Sequence, residues 1–514
     1  MHRLLRLTAG LSIGAVLTAC GSTVPLSQRG AAAGSEGLSS GTTSDLAAGG
    51  SAATSPSGDL GAVSAPTSNG TGGTSSAGAG STVVGGVNPE VTIGPMGSRK
   101  PIYIGISYVK DAAAAAQAFG FQGATLGDMK LYAQILVDDA NKRGGLGGRK
   151  IVPVYFGYDA NPGQPSWEQQ DAEACAAYTQ DTHIEIGLIT WSGPGVYECL
   201  KRKNIPMMMS GPTGGLSAKL LAQYPQLAWI GGFSMERRAT AEVASLVHQK
   251  YFSTKWDTTN GGPGALPTKI GIITYDLPDY TSSVNQDMVP AIERAGYAKP
   301  DVIAVAPHDT YDNISKMQAQ ISSAVLTFKA SGVSHVIIWD DNGVSTLLFM
   351  EQADSQGYHP RYGIGSGNNL QVVTRVANKK QLIGAVGMGW VPVLDIADAK
   401  SPTSKYANSG RRSCYSLMNK QQATGSGFNE TSAMMYCATF YALEDRWAHM
   451  AQPSPAGLSA SLWGFGSSFV DPEVPSTYMS ASQHDGLGGV YDYEYVASCS
   501  CMQYTSGVQQ LARS

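Results

Sequence analysis

Seven cysteines carry the most distinctive chemistry in this 514-residue chain. Cys20 follows Leu17-Thr18-Ala19, and the other six are Cys175, Cys199, Cys414, Cys437, Cys499 and Cys501. Metal ligation would call for a CxxC pair or a Cys/His cluster. The closest spacing, Cys499-Ser500-Cys501, has no histidine beside it, so neither a metal nor a cofactor is expected. An even number of body cysteines instead suits disulfides in an oxidising compartment. Cys175 is expected to pair with Cys199, and Cys414 with Cys437, because each pair is close in sequence and flanked by helical patterns. Cys499 and Cys501 then remain for a small ring, although six cysteines allow other pairings.

The signatures of catalysis are missing. The body has no Gly-x-Ser-x-Gly elbow, no His-Glu-x-x-His zinc helix and no Gly-x-x-x-x-Gly-Lys-Ser/Thr phosphate loop. His183, His248 and His335 stand singly inside element patterns, where packing or surface roles are commoner than catalysis. A binding protein is therefore expected rather than an enzyme, with a secreted hydrolase as the weaker alternative. A net charge of −4 and the lack of any dense Lys/Arg run give no reason to expect a nucleic-acid partner.

The N-terminus sets the location. Met1-His2-Arg3-Leu4-Leu5-Arg6 is basic, and the apolar stretch from Leu7 to Val16 is too short for a permanent membrane span. With Leu17-Thr18-Ala19-Cys20 it resembles a bacterial lipoprotein signal, which implies cleavage before a diacylated Cys20. Residues 1–20 are thus expected to be signal peptide and lipobox. The mature chain would be lipid-anchored on the outer face of the cytoplasmic membrane or in the periplasm. Residues 21–98 are mostly Gly, Ser, Ala and Thr without apolar periodicity. They read as a disordered linker with a root-mean-square span of roughly 50 Å.

From about residue 99 the chain alternates strand and helix patterns. The first series runs from strand 102–106 through helix 127–142, strand 151–156, helix 167–178, strand 184–190 and a short helix through Cys199 to strand 206–209. The second contains strand 269–274, helix 280–295, strand 301–306, helix 313–330, strand 335–339, helix 344–356 and strand 362–365. A late helix, 430–450, precedes a strand-like Gly489-Val490-Tyr491-Asp492-Tyr493-Glu494-Tyr495. Two such series predict an α/β protein with two doubly wound parallel-sheet lobes, whose ligands bind beyond the carboxyl ends of the strands.

The segments Gly127-Asp128-Met129, Asp138-Asp139-Ala140-Asn141-Lys142-Arg143-Gly144-Gly145-Leu146-Gly147-Gly148-Arg149-Lys150, Ile205-Pro206-Met207-Met208-Met209-Ser210-Gly211-Pro212-Thr213 and Tyr275-Asp276-Leu277-Pro278-Asp279-Tyr280 occur in an order that resembles the type I periplasmic binding proteins. The likeness is to the branched-chain amino-acid-binding group of ABC-importer receptors. It implies a clamshell with a three-crossover hinge, closing on a small polar ligand such as an amino acid or related amide and delivering it to the membrane subunits of an ABC importer. Crossovers are expected near 229–232, near 365–367 and after Met450. Lobe one would hold 99–231 plus 367–455, and lobe two 232–366 plus 456–514. The protein is expected to be a monomer. A ligand-sensing lipoprotein that signals to a membrane receptor needs the same clamshell.

The resemblance also implies a site. An α-carboxylate would be held by hydroxyls and backbone N–H groups of Ser192, Gly193, Ser210, Gly211 and Thr213. An ammonium would meet Tyr280 and an acid from Asp340 or Asp341, which follow a strand. The sequence departs from the family pattern at Ser345, where an acidic ligand residue is expected, at Leu126 in place of an aromatic, and in the insertion 111–122.

Overall fold

A computed structural model describes residues 99–110, 127–159, 161, 164–211, 215–307, 311–396, 403–425, 427–464 and 469–513. Cys20, the linker 21–98, the insertion 111–122, Leu126 and Thr213 lie outside the described residues.

The first half is built on β1 (Ile102–Lys110), β2 (Ile151–Asp159), β3 (Ile186–Leu188), β4 (Met207–Met209) and β5 (Leu227–Trp229). These form one parallel sheet in the order β2-β1-β3-β4-β5. Ile102, Ile104, Ile106, Ile186 and Leu188 are buried in one core and Met207, Met209, Leu227 and Trp229 in another, so both sheet faces are covered, as a parallel sheet demands. Helix α1 (Met129–Lys142) starts where the Asp128 carboxylate accepts the Leu131 N–H at 2.9 Å. It stops where Gly145, in left-handed conformation, returns its N–H to Ala140 O at 2.8 Å. Helices α2 (Trp167–Ala176) and α3 (Pro194–Arg202) follow on the same half.

The chain then leaves this sheet and, after α4 (Ala218–Gln223), enters α5 (Met235–His248). The two-stranded β6 (Trp256–Asp257) and β7 (Gly262–Pro263) lead into β8 (Ile270–Tyr275), β9 (Asp301–Val305), β10 (His335–Trp339), β11 (Arg361–Gly363) and β12 (Val386–Gly389). The last five are parallel, in the order β12-β11-β10-β8-β9. The chain's tail adds β13 (Gly489–Val496) and β14 (Cys501–Tyr504) antiparallel at the β12 edge, and β15 (Gln509–Gln510) pairs with β13. Each sheet has its own apolar core. The architecture is thus α/β with two doubly wound sheets.

Two differences from the sequence expectation stand out. The helix expected over 280–295 is real but contains a wide turn at Val284–Met288 between Pro278–Ser283 and Val289–Arg294. The expected lobe boundary at 366/367 does not match the sheets, because β12 pairs with β11 and β13, so residues 367–396 remain with the second half. β12 reads Val-Gly-Met-Gly, too short and glycine-rich to announce itself as a strand. Likewise the early tail belongs to the first half: Leu458, Leu462 and Phe469 lie in the core that contains α1 and the long helix Glu430–His449.

Among the described residues, the stretches 229–235 and 469–489 pass between the halves, and they are laced together. Gly486 N donates to Trp229 O at 2.8 Å, Leu487 N to Gly232 O at 2.8 Å, and Ser234 N to the Asp485 carboxylate at 2.6 Å. Phe233, Trp390, Val391, Val474 and Leu487 form a small apolar core of their own at this junction. The cysteines close as Cys175–Cys199, Cys414–Cys437 and Cys499–Cys501.

Candidate ligand site at the strand ends

In the second half, β8 ends at Tyr275 and β10 runs into Asp340-Asp341. Neighbouring parallel strands in register bring these ends together. Asp340 is fully buried and its carboxylate is heavily used. One oxygen accepts from Tyr275 Oη at 2.9 Å, Asp341 N at 2.7 Å and Asn342 N at 3.1 Å. The other accepts from Ser345 Oγ at 2.8 Å, Thr346 N at 3.0 Å and Thr346 Oγ1 at 2.9 Å. Asp340 is the anchor at the start of the helix Val344–Ser355. Ser345, standing where the resemblance led one to expect an acid, spends its hydroxyl on this anchor.

Asp341 is placed differently. It is half-buried and accepts a short hydrogen bond from Tyr280 Oη. The Tyr280 ring packs edge-on to Tyr275 with centroids 5.2 Å apart, and burial beside two carboxylates pushes its hydroxyl well above the usual phenol range. The first half covers this pair: a Cβ at Gly215 would lie only 2.6 Å from the Tyr280 ring. The covering strand of backbone is tied down, since Leu216 O accepts from Met235 N at 3.1 Å and Ala218 N donates to Glu236 Oε2 at 2.7 Å.

Arg238, in the first turn of α5, was not singled out in the sequence. Its guanidinium lies 4.1 Å from the Trp339 ring centroid, donates to Asp340 O at 2.8 Å, and approaches Glu242 at 3.6 Å. Glu242 is fully buried, and desolvation, opposed by Arg238, pushes its carboxyl up to about 7. A Cβ at Gly367 would stand 2.6 Å from the guanidinium, so Gly367 makes room for it. Arg and Glu four apart on a helix ordinarily signal an exposed pair. Only the neighbouring tryptophans reveal that this one is interior.

In the first half, the turn after β3 carries Thr190, Trp191, Ser192 and Gly193, and the turn after β4 carries Ser210 and Gly211. Backbone N–H groups of both turns are already served from within. The Asp171 carboxylate accepts from Gly193 N at 3.0 Å, Gly195 N at 3.0 Å and Tyr158 Oη at 2.7 Å. Ser210 Oγ donates to Glu473 Oε2 at 2.7 Å, and Gly211 N also bonds Glu473. Glu473 and neighbouring Asp471 are buried together, and burial raises both carboxyls. Ser192 is buried beside Tyr158. The structure thus brings Tyr280 and Asp341 together in one half. It gathers Ser192, Gly193, Ser210 and Gly211 at the strand ends of the other, and withdraws Asp340 into the fold.

Among the described residues no group of three or more His, Cys, Asp and Glu could hold a metal, and no helix is long and apolar enough to cross a membrane.

No protein-family model and no curated protein matches the sequence. Solved structures do match in shape. A periplasmic binding protein type 1 from Bordetella pertussis shares 13% identity over 79% of this chain and 99% of its own, with a TM-score of 0.52. A branched-chain amino-acid ABC transporter structure from Thermus thermophilus with bound valine shares 12% over 80% and 97%, with a TM-score of 0.55. A fatty acid ABC transporter substrate-binding protein from Thermomonospora curvata shares 14% over 81% and 94%, with a TM-score of 0.52. The chain has the type I periplasmic binding protein fold.

Proposed function

We propose that this protein is an extracytoplasmic solute receptor that captures a small polar ligand between its two halves and presents the closed form to an ABC importer. The observation that carries this reading is the Tyr280–Asp341 pair at the strand ends of one half, covered by Gly215 of the other. Such a site is assembled only when the halves approach, which couples ligand capture to hinge closure. The structural neighbours, among them a branched-chain amino-acid ABC transporter structure with bound valine and a fatty acid substrate-binding protein, support the role and indicate that ligand class varies on this fold.

Cys20 is the proposed lipid anchor, and residues 21–98 the proposed leash that keeps the receptor near its transporter. The ligand class at this level is an amino acid or a related amide. The test is calorimetry and thermal shift of the full chain against amino acids, amides, amines and small peptides. A binding ligand should raise the melting temperature in a concentration-dependent way. Tyr280→Phe and Asp341→Asn should each weaken that ligand about tenfold or more, the worth of one charge-assisted hydrogen bond. Unchanged affinity in both variants would move the site elsewhere.

A further inference from the structure

Resting on the solute-receptor reading, we propose that the ligand carries amide or amine N–H donors and no carboxylate, because the protein's own Asp171 and Glu473 occupy the carboxylate seats of the first half. The geometry of the Asp171 seat is specific. In a doubly wound fold the turn after a strand and the start of the following helix form the natural anion site, since free N–H groups and the helix dipole converge there. Here that place is the Ser192-Gly193 turn and the start of α3 (Pro194–Arg202). Its N–H groups at Gly193 and Gly195 both point at the Asp171 carboxylate, 3.0 Å from each.

The sequence is shaped around this occupant. A Cβ at Gly193 would lie 2.4 Å from Asp171 Oδ2, and one at Gly195 would lie 2.8 Å from Asp171 Cβ. Both positions are glycine, and the backbone closes directly on the carboxylate. Asp171 is itself almost fully buried, held from behind by Tyr158 Oη at 2.7 Å, with the Tyr158 ring stacked on Trp167. The next strand end repeats the arrangement with other residues: Glu473, from the connecting stretch 469–489, accepts from Ser210 Oγ at 2.7 Å and from Gly211 N.

An incoming carboxylate would therefore have to displace a buried, hydrogen-bonded carboxyl or sit beside it as a like charge, and either is costly. Among the described residues, the guanidinium nearest Tyr280 is not a substitute. Arg238, whose charge reaches Tyr280, is committed to Asp340 O, Trp339 and Glu242. The strand ends of the second half instead present the acidic Tyr280–Asp341 pair, whose oxygens suit N–H donors.

Two experiments on the full chain test this. Asp171→Ala empties the first seat, and acetate in large excess should then raise the melting temperature of the variant while leaving the wild type unchanged. An equal rise in both, or none in a folded variant, would overturn the proposal. Should Asp171→Ala fail to fold, the decision passes to the second experiment, thermal shift of the wild type against L-leucine, L-leucinamide and 3-methylbutylamine. Stabilisation by the amide or amine at least tenfold more potent than by the acid supports the proposal. Stabilisation by the acid at equal or lower concentration overturns it while leaving the receptor reading intact. Silence across acids, amides and amines alike removes the receptor reading, and this proposal with it.

Discussion

Asp340 and Asp341 are neighbours in sequence with opposite duties. Asp340 receives bonds from two side-chain hydroxyls of its own helix start, from a tyrosine of the adjacent strand and from three backbone N–H groups, all in the interior. Removing it strands those donors without water, and Asp340→Ala should cost about 3 kcal/mol or more, read as a shift of the denaturant midpoint. Asp341 is half-buried rather than fully buried, so water can replace the bond it loses from Tyr280, and Asp341→Ala should cost less stability than Asp340→Ala. Equal losses in the two variants would contradict this division. The same contrast separates Arg238, locked between tryptophans and carbonyl, from an arginine that serves half-buried ion pairs, Arg143 with Asp139 and Glu444.

At the scale of elements, α2 and α3 are coupled twice. The Cys175–Cys199 disulfide joins them covalently across a sequence separation of 24, and Asp171 caps α3 from α2. The disulfide restricts the unfolded chain, and the cap satisfies N–H groups that a helix start otherwise leaves unpaired. Replacing both cysteines by Ala should lower stability by about 2–4 kcal/mol while leaving ligand affinity within about twofold, since the cap still sets the turn. Gly193→Ala should act on the turn itself. Its Cβ would be forced against Asp171 Oδ2, so about 1–3 kcal/mol of strain is expected, with a larger effect on binding than the cysteine pair shows. Denaturant melts beside calorimetry of the two variants distinguish the outcomes.

On the scale of the whole molecule, several acids are buried with raised carboxyls. Burial takes Glu242 and Asp395 up to about 7, and Asp471 with Glu473 rise in the same direction. Because these groups keep their protons longer in the folded state than in the unfolded one, the folded state binds more protons as pH rises above the ordinary carboxylate range. Stability contributed by this difference is present at low pH and lost on the way up to about 7. His335 opposes them in the acid range: burial lowers it to about 3, so the folded state resists a proton that the unfolded chain accepts below about 6.5. Above pH 6.5 only the acids act, and the melting temperature should fall between pH 6.5 and 8. Asp395→Asn should flatten that fall; an unchanged slope would show that Asp395 is ionised in the folded state.

Much of this architecture can be read from the chain alone, because strand and helix periodicity is a local property. His335–Trp339 and the alternation around it are evident from residue type, and the close spacing of Cys175 with Cys199 and Cys414 with Cys437 already suggests their partners. Tyr280 and the Asp340-Asp341 pair are likewise visible, as polar residues just after strands. Tertiary structure alone decided which aspartate is withdrawn into the fold and which meets Tyr280, that β12 keeps residues 367–396 in the second half, and that Arg238 is interior. It also decided that Asp171 fills the turn at Gly193 and that Glu473, from far along the chain, answers Ser210. The physical reason is common to all of these. Periodicity records which face of an element is buried, whereas the partner of a buried charge is chosen by packing between distant segments, and sequence spacing does not encode that distance.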